Sequence, residues 1–175
     1  FKNTLLLLAA CLVLTACATK KEAVIEKVIE KEKKEKKSES VSESVGEQIQ
    51  SDVYTGTDDV KYLAEGVPDR VFFATNESIL TTASRETLRA QAAWLRKNST
   101  INVILEGHAD ERGTREYNLA LGERRANSAK DYLMTYGISS DRISVLSYGK
   151  ERPVDSGSTT LAWSKNRRSV TVKAN

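Results

Sequence analysis

The stretch from Glu106 to Ala126, Glu-Gly-His-Ala-Asp-Glu-Arg-Gly-Thr-Arg-Glu-Tyr-Asn-Leu-Ala-Leu-Gly-Glu-Arg-Arg-Ala, holds two opposite charges in defined places. Asp110 falls in a turn after an apolar run, and Arg125 falls on a helix that follows. Leu121, Arg125, Ala129 and Leu133 recur every four residues, so they line one face at about 3.6 residues per turn. Arg124 lies about 100° away from that stripe. An arginine on an apolar stripe needs a fixed partner, because its donors are costly to bury unpaired. Spacing alone leaves two partners open, an internal ion pair or a ligand. One fixed anion and one fixed cation suit a zwitterionic ligand.

Other chemistry is weaker. Glu106, His108 and Asp110 alternate and carry metal-ligand side chains. His108 is the sole histidine, however, so a metal would rest on one imidazole and two carboxylates before a turn. We expect no metal, and read His108 as a satisfied strand-end residue that lines a ligand groove. No serine is marked as an activated nucleophile. Asp110 and Glu111 are adjacent, and neighbouring residues rarely face one substrate bond, so a glycan hydrolase is a remote alternative and an enzyme is not expected. Asn166-Arg167-Arg168 suits a charged sheet edge better than a phosphate site. A net charge of +3 demands no nucleic acid, and none is expected as a partner.

Alternating strands and helices position these groups. Strands are expected at Arg70–Phe73, Asn102–Glu106, Ile143–Tyr148 and Arg168–Lys173, the last from its period-two pattern. Helices are expected at Ser84–Asn98, and from Arg115 or Glu116 to Tyr136, where Gly137 stops the second. Such alternation predicts a sheet with helices packed on it, beginning near Gly66. From there 17 basic residues oppose 12 acidic ones, so the positive charge belongs to the domain.

The part before Gly66 reads differently. Lys2 precedes an apolar run from Leu5 to Leu14, too short to span a bilayer as a helix but of signal-peptide length. It ends in Leu14-Thr15-Ala16-Cys17, which resembles a bacterial lipobox. Phe1 is not an initiator, so a Met is expected before it. Residues 1–16 are then a signal peptide and Cys17 is the lipidated residue, which leaves no thiol for disulfides. Several acyl chains on Cys17 give durable membrane attachment. Residues 17–65 read as a charged flexible tether, with the repeat Val24-Ile25-Glu26-Lys27 and Val28-Ile29-Glu30-Lys31 followed by lysine, glutamate and serine. As a coil this tether spans on the order of 40 Å, and fully extended roughly 160 Å.

Gly107-His108-Ala109-Asp110 through Arg124-Arg125-Ala126 resembles the signature of the outer-membrane protein A C-terminal domain family, over about Val71 to Val172. Ser147-Tyr148-Gly149-Lys150-Glu151-Arg152-Pro153 and Lys165-Asn166-Arg167-Arg168-Ser169-Val170 are similar to its later motifs. With the lipobox and tether, the chain resembles the lipid-anchored, peptidoglycan-associated branch of that family. The resemblance implies an α+β fold for residues 66–175, a two-layer βαβαββ mixed sheet backed by helices. It implies non-covalent binding of peptidoglycan through its diaminopimelate side chain, with Asp110 taking the ammonium and Arg125 the carboxylate. Asn118 and Leu121 match further ligand-lining positions. It also implies residence at the outer membrane with the domain facing the periplasm, no cofactor, and Tol proteins as partners, with an envelope scaffold as the alternative reading. One departure stands out: the family's aspartate after the first strand is Asn76 here, within Phe73-Ala74-Thr75-Asn76-Glu77.

Overall fold

The computed structural model describes residues 52–57 and 61–174. The expected signal peptide, Cys17 and most of the tether lie outside these residues. Two short strands, β1 (Tyr62–Ala64) and β2 (Val67–Pro68), form an antiparallel hairpin. They lead into β3 (Arg70–Phe72), α1 (Thr82–Lys97), β4 (Val103–His108), α2 (Arg115–Thr135), β5 (Ile143–Gly149), α3 (Thr160–Asn166) and β6 (Arg168–Lys173). The main sheet runs β3-β6-β4-β5, with β4 and β5 parallel and the other pairs antiparallel. It is the mixed sheet backed by helices that the sequence implied, with one more helix.

The helices start where their caps dictate. Thr81 Oγ1 accepts from Ser84 N at 3.2 Å, and Thr114 Oγ1 accepts from Tyr117 N at 3.2 Å. Each satisfies a donor that the first turn leaves without an intrahelical partner. At the end of α2, Gly137 takes a φ of 82° and its N–H donates to Met134 O at 2.9 Å. A residue with a Cβ adopts that conformation only with strain.

Both long helices pack on one face of the sheet. Leu88, Ala92 and Leu95 of α1 and Ala126, Ala129 and Leu133 of α2 meet Val103, Leu105 and Ile143 in the core. α2 sits unusually close to β4, because Gly107 faces Gly122. A Cβ on Gly107 would overlap the Gly122 carbonyl, and one on Gly122 would come within 2.8 Å of Gly107 O. Ser147 Oγ donates to Leu119 O at 2.6 Å and pins β5 to the same helix.

Three expectations are corrected. The folded part begins before Gly66: Tyr54 is buried with its ring 4.8 Å from that of Phe72, and Leu63 is buried as well. Composition placed these residues in the tether because apolar side chains are sparse around them. The βαβαββ order lacks α3, whose seven residues are too few for a periodic pattern. Asn166, Arg167 and Arg168 do not form a charged sheet edge. β6 lies between β3 and β4, and all three residues are buried.

The close approach of α2 and β4 predicts a large loss of stability for Gly107→Ala, about 3 kcal/mol from backbone displacement. Gly137→Ala, with open space around its Cβ but a left-handed φ, should cost about 1 kcal/mol. Urea unfolding of the two variants checks the ranking, and equal losses would contradict it.

Candidate functional site

The turn after β3, residues 73–77, and the turn between β4 and α2, residues 109–114, meet at one end of the sheet. Asp110 sits in the second turn, where its carboxylate accepts from Arg112 N at 3.1 Å, Arg112 Nε at 3.1 Å and Arg112 Nη2 at 2.6 Å. Arg167 Nη1 lies 3.6 Å from the same carboxylate. Burial alone would raise the pKa of Asp110, but the Arg112 hydrogen bonds and the charges of Arg112 and Arg167 hold it below the ordinary carboxylate value. Asp110 is therefore an anion at neutral pH. The Arg112 side chain is 41% exposed and its guanidinium lies 4.3 Å above the Trp163 ring.

Arg125 is on the inner face of α2, as its spacing required, and has no solvent exposure. Within the fold its partners are three backbone carbonyls, not the carboxylate of an internal ion pair. Nε donates to Glu77 O at 2.8 Å, Nη1 to His108 O at 2.9 Å and Nη2 to Ala74 O at 3.0 Å. Burial, with repulsion from Arg167, lowers its pKa to about 10, so it stays charged at neutral pH. The guanidinium joins the end of β4 to the turn after β3 and lies 5.4 Å from the Phe73 ring.

Of the four accessory residues, one is on the surface of the site. Asn76 is exposed and borders a shallow cavity of about 560 Å³ with Thr75, Arg112, Gly113, Thr114 and Tyr117. Its φ of 58° is left-handed, a conformation that Asn tolerates better than most residues. Asn118 is buried and braces the second turn, with Nδ2 donating to Arg112 O at 2.8 Å. Leu121 is buried at 3% exposure. His108 contributes its carbonyl, while its ring stacks on Tyr148 at 5.5 Å and, contrary to the expectation of a satisfied residue, has both nitrogens buried without a hydrogen-bond partner. Burial and the nearby charges of Arg168, Arg70 and Arg152 lower its pKa to about 3, so the ring is neutral. Those arginines also disfavour a metal cation at His108.

Sequence reasoning missed three charged members of the site. Arg167 is 1% exposed, and its Nε donates to Phe73 O at 3.0 Å. Arg112 follows Asp110 by two residues, a spacing at which a turn returns a side chain to its neighbour. Asp52 reaches the same place from far upstream: it accepts from Thr75 N at 2.9 Å, and Arg167 Nη2 lies 3.1 Å from its Oδ1. Nothing around Asp52 in the sequence marked it.

Comparison with known proteins agrees with this fold. The profile of the OmpA family matches residues 72–167. Proteins named peptidoglycan-associated lipoprotein align from Mesorhizobium japonicum, 50% identical over 106 residues, and Brucella melitensis, 48% over 106; each alignment covers 61% of this chain and 63% of the relative. One from Pseudomonas aeruginosa is 47% identical over 97 residues, or 55% of this chain and 57% of that protein. The chain thus spans less than two thirds of the length of these relatives. The crystal structure of the peptidoglycan-associated lipoprotein from Burkholderia pseudomallei superposes with a TM-score of 0.59 at 32% identity, covering 61% of this chain and 90% of that one. The C-terminal domain of Helicobacter pylori MotB shares the fold at a TM-score of 0.57 and 18% identity, over 61% of this chain and 84% of that one. With a sheet, helices and signature matched over more than half of its length, the chain belongs to the OmpA family.

Proposed function

We propose that this chain is a non-catalytic, lipid-anchored binding protein that tethers the outer membrane to peptidoglycan by gripping diaminopimelate. The observation that carries this reading is Asp110: an ionised carboxylate, itself buried, paired with the half-exposed Arg112, which lines the shallow cavity. A ligand ammonium matches the charge of Arg112. Arg125 retains two of its five N–H groups for a ligand carboxylate. Because it has no exposed surface, it engages that carboxylate only when the turn from Ala74 to Glu77 shifts. Cys17 supplies the acyl anchor, and the domain faces the periplasm, where Tol proteins are its expected protein partners. That the proteins it resembles are named for peptidoglycan association supports the reading. No catalytic step belongs to it, so sacculi incubated with the protein should release no muropeptides.

Asp110→Asn should reduce retention on purified sacculi by about tenfold while leaving the fold intact, since the amide keeps the shape and loses the charge. Undiminished retention would refute the ammonium clamp. Arg125→Ala should lose binding and also stability, by about 3 kcal/mol or more, because three carbonyls lose their donor inside the fold. Thermal unfolding beside the pulldown separates the two losses. Growth with a fatty-acid analogue should label the wild type and not Cys17→Ala.

The pH response should divide. The unfolded chain protonates His108 near pH 6.5 and the folded chain only near 3, so stability falls as pH drops through that window, by roughly 1.4 kcal/mol per unit. Asp110 stays ionised until below the ordinary carboxylate range, so sacculi retention should remain level from pH 8 to 5. Denaturant midpoints and pulldowns across that range measure both, and a binding step near pH 6.5 would contradict the assignment.

A further inference from the structure

We infer that Asp52, from the segment that precedes the domain's first strand, forms the second anionic wall of the ammonium subsite at Asp110. The inference rests on the proposed grip of diaminopimelate and adds a residue to it. Asp52 Oδ2 accepts from Thr75 N at 2.9 Å and from Thr75 Oγ1, and Arg167 Nη2 lies 3.1 Å from Oδ1. The other nitrogen of the same guanidinium, Nη1, lies 3.6 Å from Asp110 Oδ2. Arg167 therefore presents one nitrogen to each carboxylate from below. On the solvent side Arg112 Nη2 lies 2.6 Å from Asp110 Oδ2 and 3.4 Å from Thr75 Oγ1, which is itself bonded to Asp52.

The charges decide what the site accepts. Arg167 is 1% exposed and tied to Phe73 O at 3.0 Å, so it is a permanent member of the site. Asp110 and Arg167 alone sum to zero, and a second cation beside them would gain little. Asp52 adds the negative charge that Arg112 now balances. Asn76 carries no charge that could take this part. Arg112, 41% exposed, can rotate away into solvent, where its side chain is already half placed. A ligand ammonium that takes its place then faces two carboxylates over one buried guanidinium, and the set is again neutral. Burial opposes charge on Asp52, but its bonds to Thr75 and the charges of Arg167 and Arg112 keep it ionised, so the second charge is present at neutral pH. Asp52 keeps about a third of its side chain exposed, which leaves a ligand room to approach.

Calorimetric binding to the full chain tests this with the tripeptide L-alanyl-γ-D-glutamyl-meso-diaminopimelate and the same peptide acetylated on the diaminopimelate side-chain amine. Asp52→Asn should raise the Kd for the free-amine peptide about tenfold and leave the weak binding of the acetylated peptide unchanged. Asp52→Asn that matches wild type while Asp110→Asn loses binding would overturn the role of Asp52 and keep the grip. Equal weakening for both peptides would make Asp52 a brace for Thr75 and Arg167, not an ammonium contact. Wild type that ignores the acetyl group, or binds neither peptide, would sink the parent reading and this one together. Thermal unfolding of each variant confirms that the fold is retained.

Discussion

Arg125 holds together the segments from which the site is made. Its guanidinium donates to carbonyls of Ala74 and Glu77 in the turn after β3 and of His108 at the end of β4. Removing water from a guanidinium is unfavourable, and the three bonds offset that loss only if all three carbonyls are in register. The arrangement thus constrains the backbone as strongly as it is constrained. It depends in turn on Gly107 and Gly122, whose lack of side chains lets α2 approach β4 closely enough for Arg125 to reach across. A single helix position consequently sets the shape of the floor beneath Asp110.

The surface of the site is arranged by charge rather than by shape. Asp52, Arg167, Asp110 and Arg112 follow one another with alternating sign, Thr75 joins Arg112 back to Asp52, and the two guanidinia differ sharply in freedom. Arg167 is locked by Phe73 O and by burial, whereas Arg112 is held at one end by Asp110 and rests on the Trp163 face. Exchange of the looser cation for another of equal charge leaves the electrostatics nearly unchanged. On the proposed ammonium grip, specificity for one ammonium over another would reside in the reach of the incoming group and its remaining contacts.

The periodic parts of this fold were legible in the sequence and the contacts between distant segments were not. The stripe through Leu121, Arg125, Ala129 and Leu133 located the buried arginine, because helical spacing is a local property. Its partners were hidden, because backbone carbonyls leave no trace in side-chain pattern. Arg167 was misplaced for a related reason: a strand's sequence reports its own alternation, while its place between β3 and β4 depends on neighbours elsewhere in the chain. Asn76 looked like a lost charge, yet its left-handed φ gives a conformational reason for an amide or acid at that point. Asp52 was obscured by composition, since polar and charged surroundings read as tether whether or not one residue among them docks.

The docking of Asp52 also decides how the domain bears load. Residue 52 precedes every described strand and helix, so tension that reaches it from the N-terminal side loads its bonds to Thr75 and Arg167. Only when those yield does the force reach Tyr54 against Phe72, and then the sheet. A sufficiently strong pull would strip one negative charge from beside Asp110 while leaving the core intact. In mechanical terms the segment would act as a fuse in series with the proposed ammonium subsite, and the strength of that grip would depend on the direction and size of the applied force.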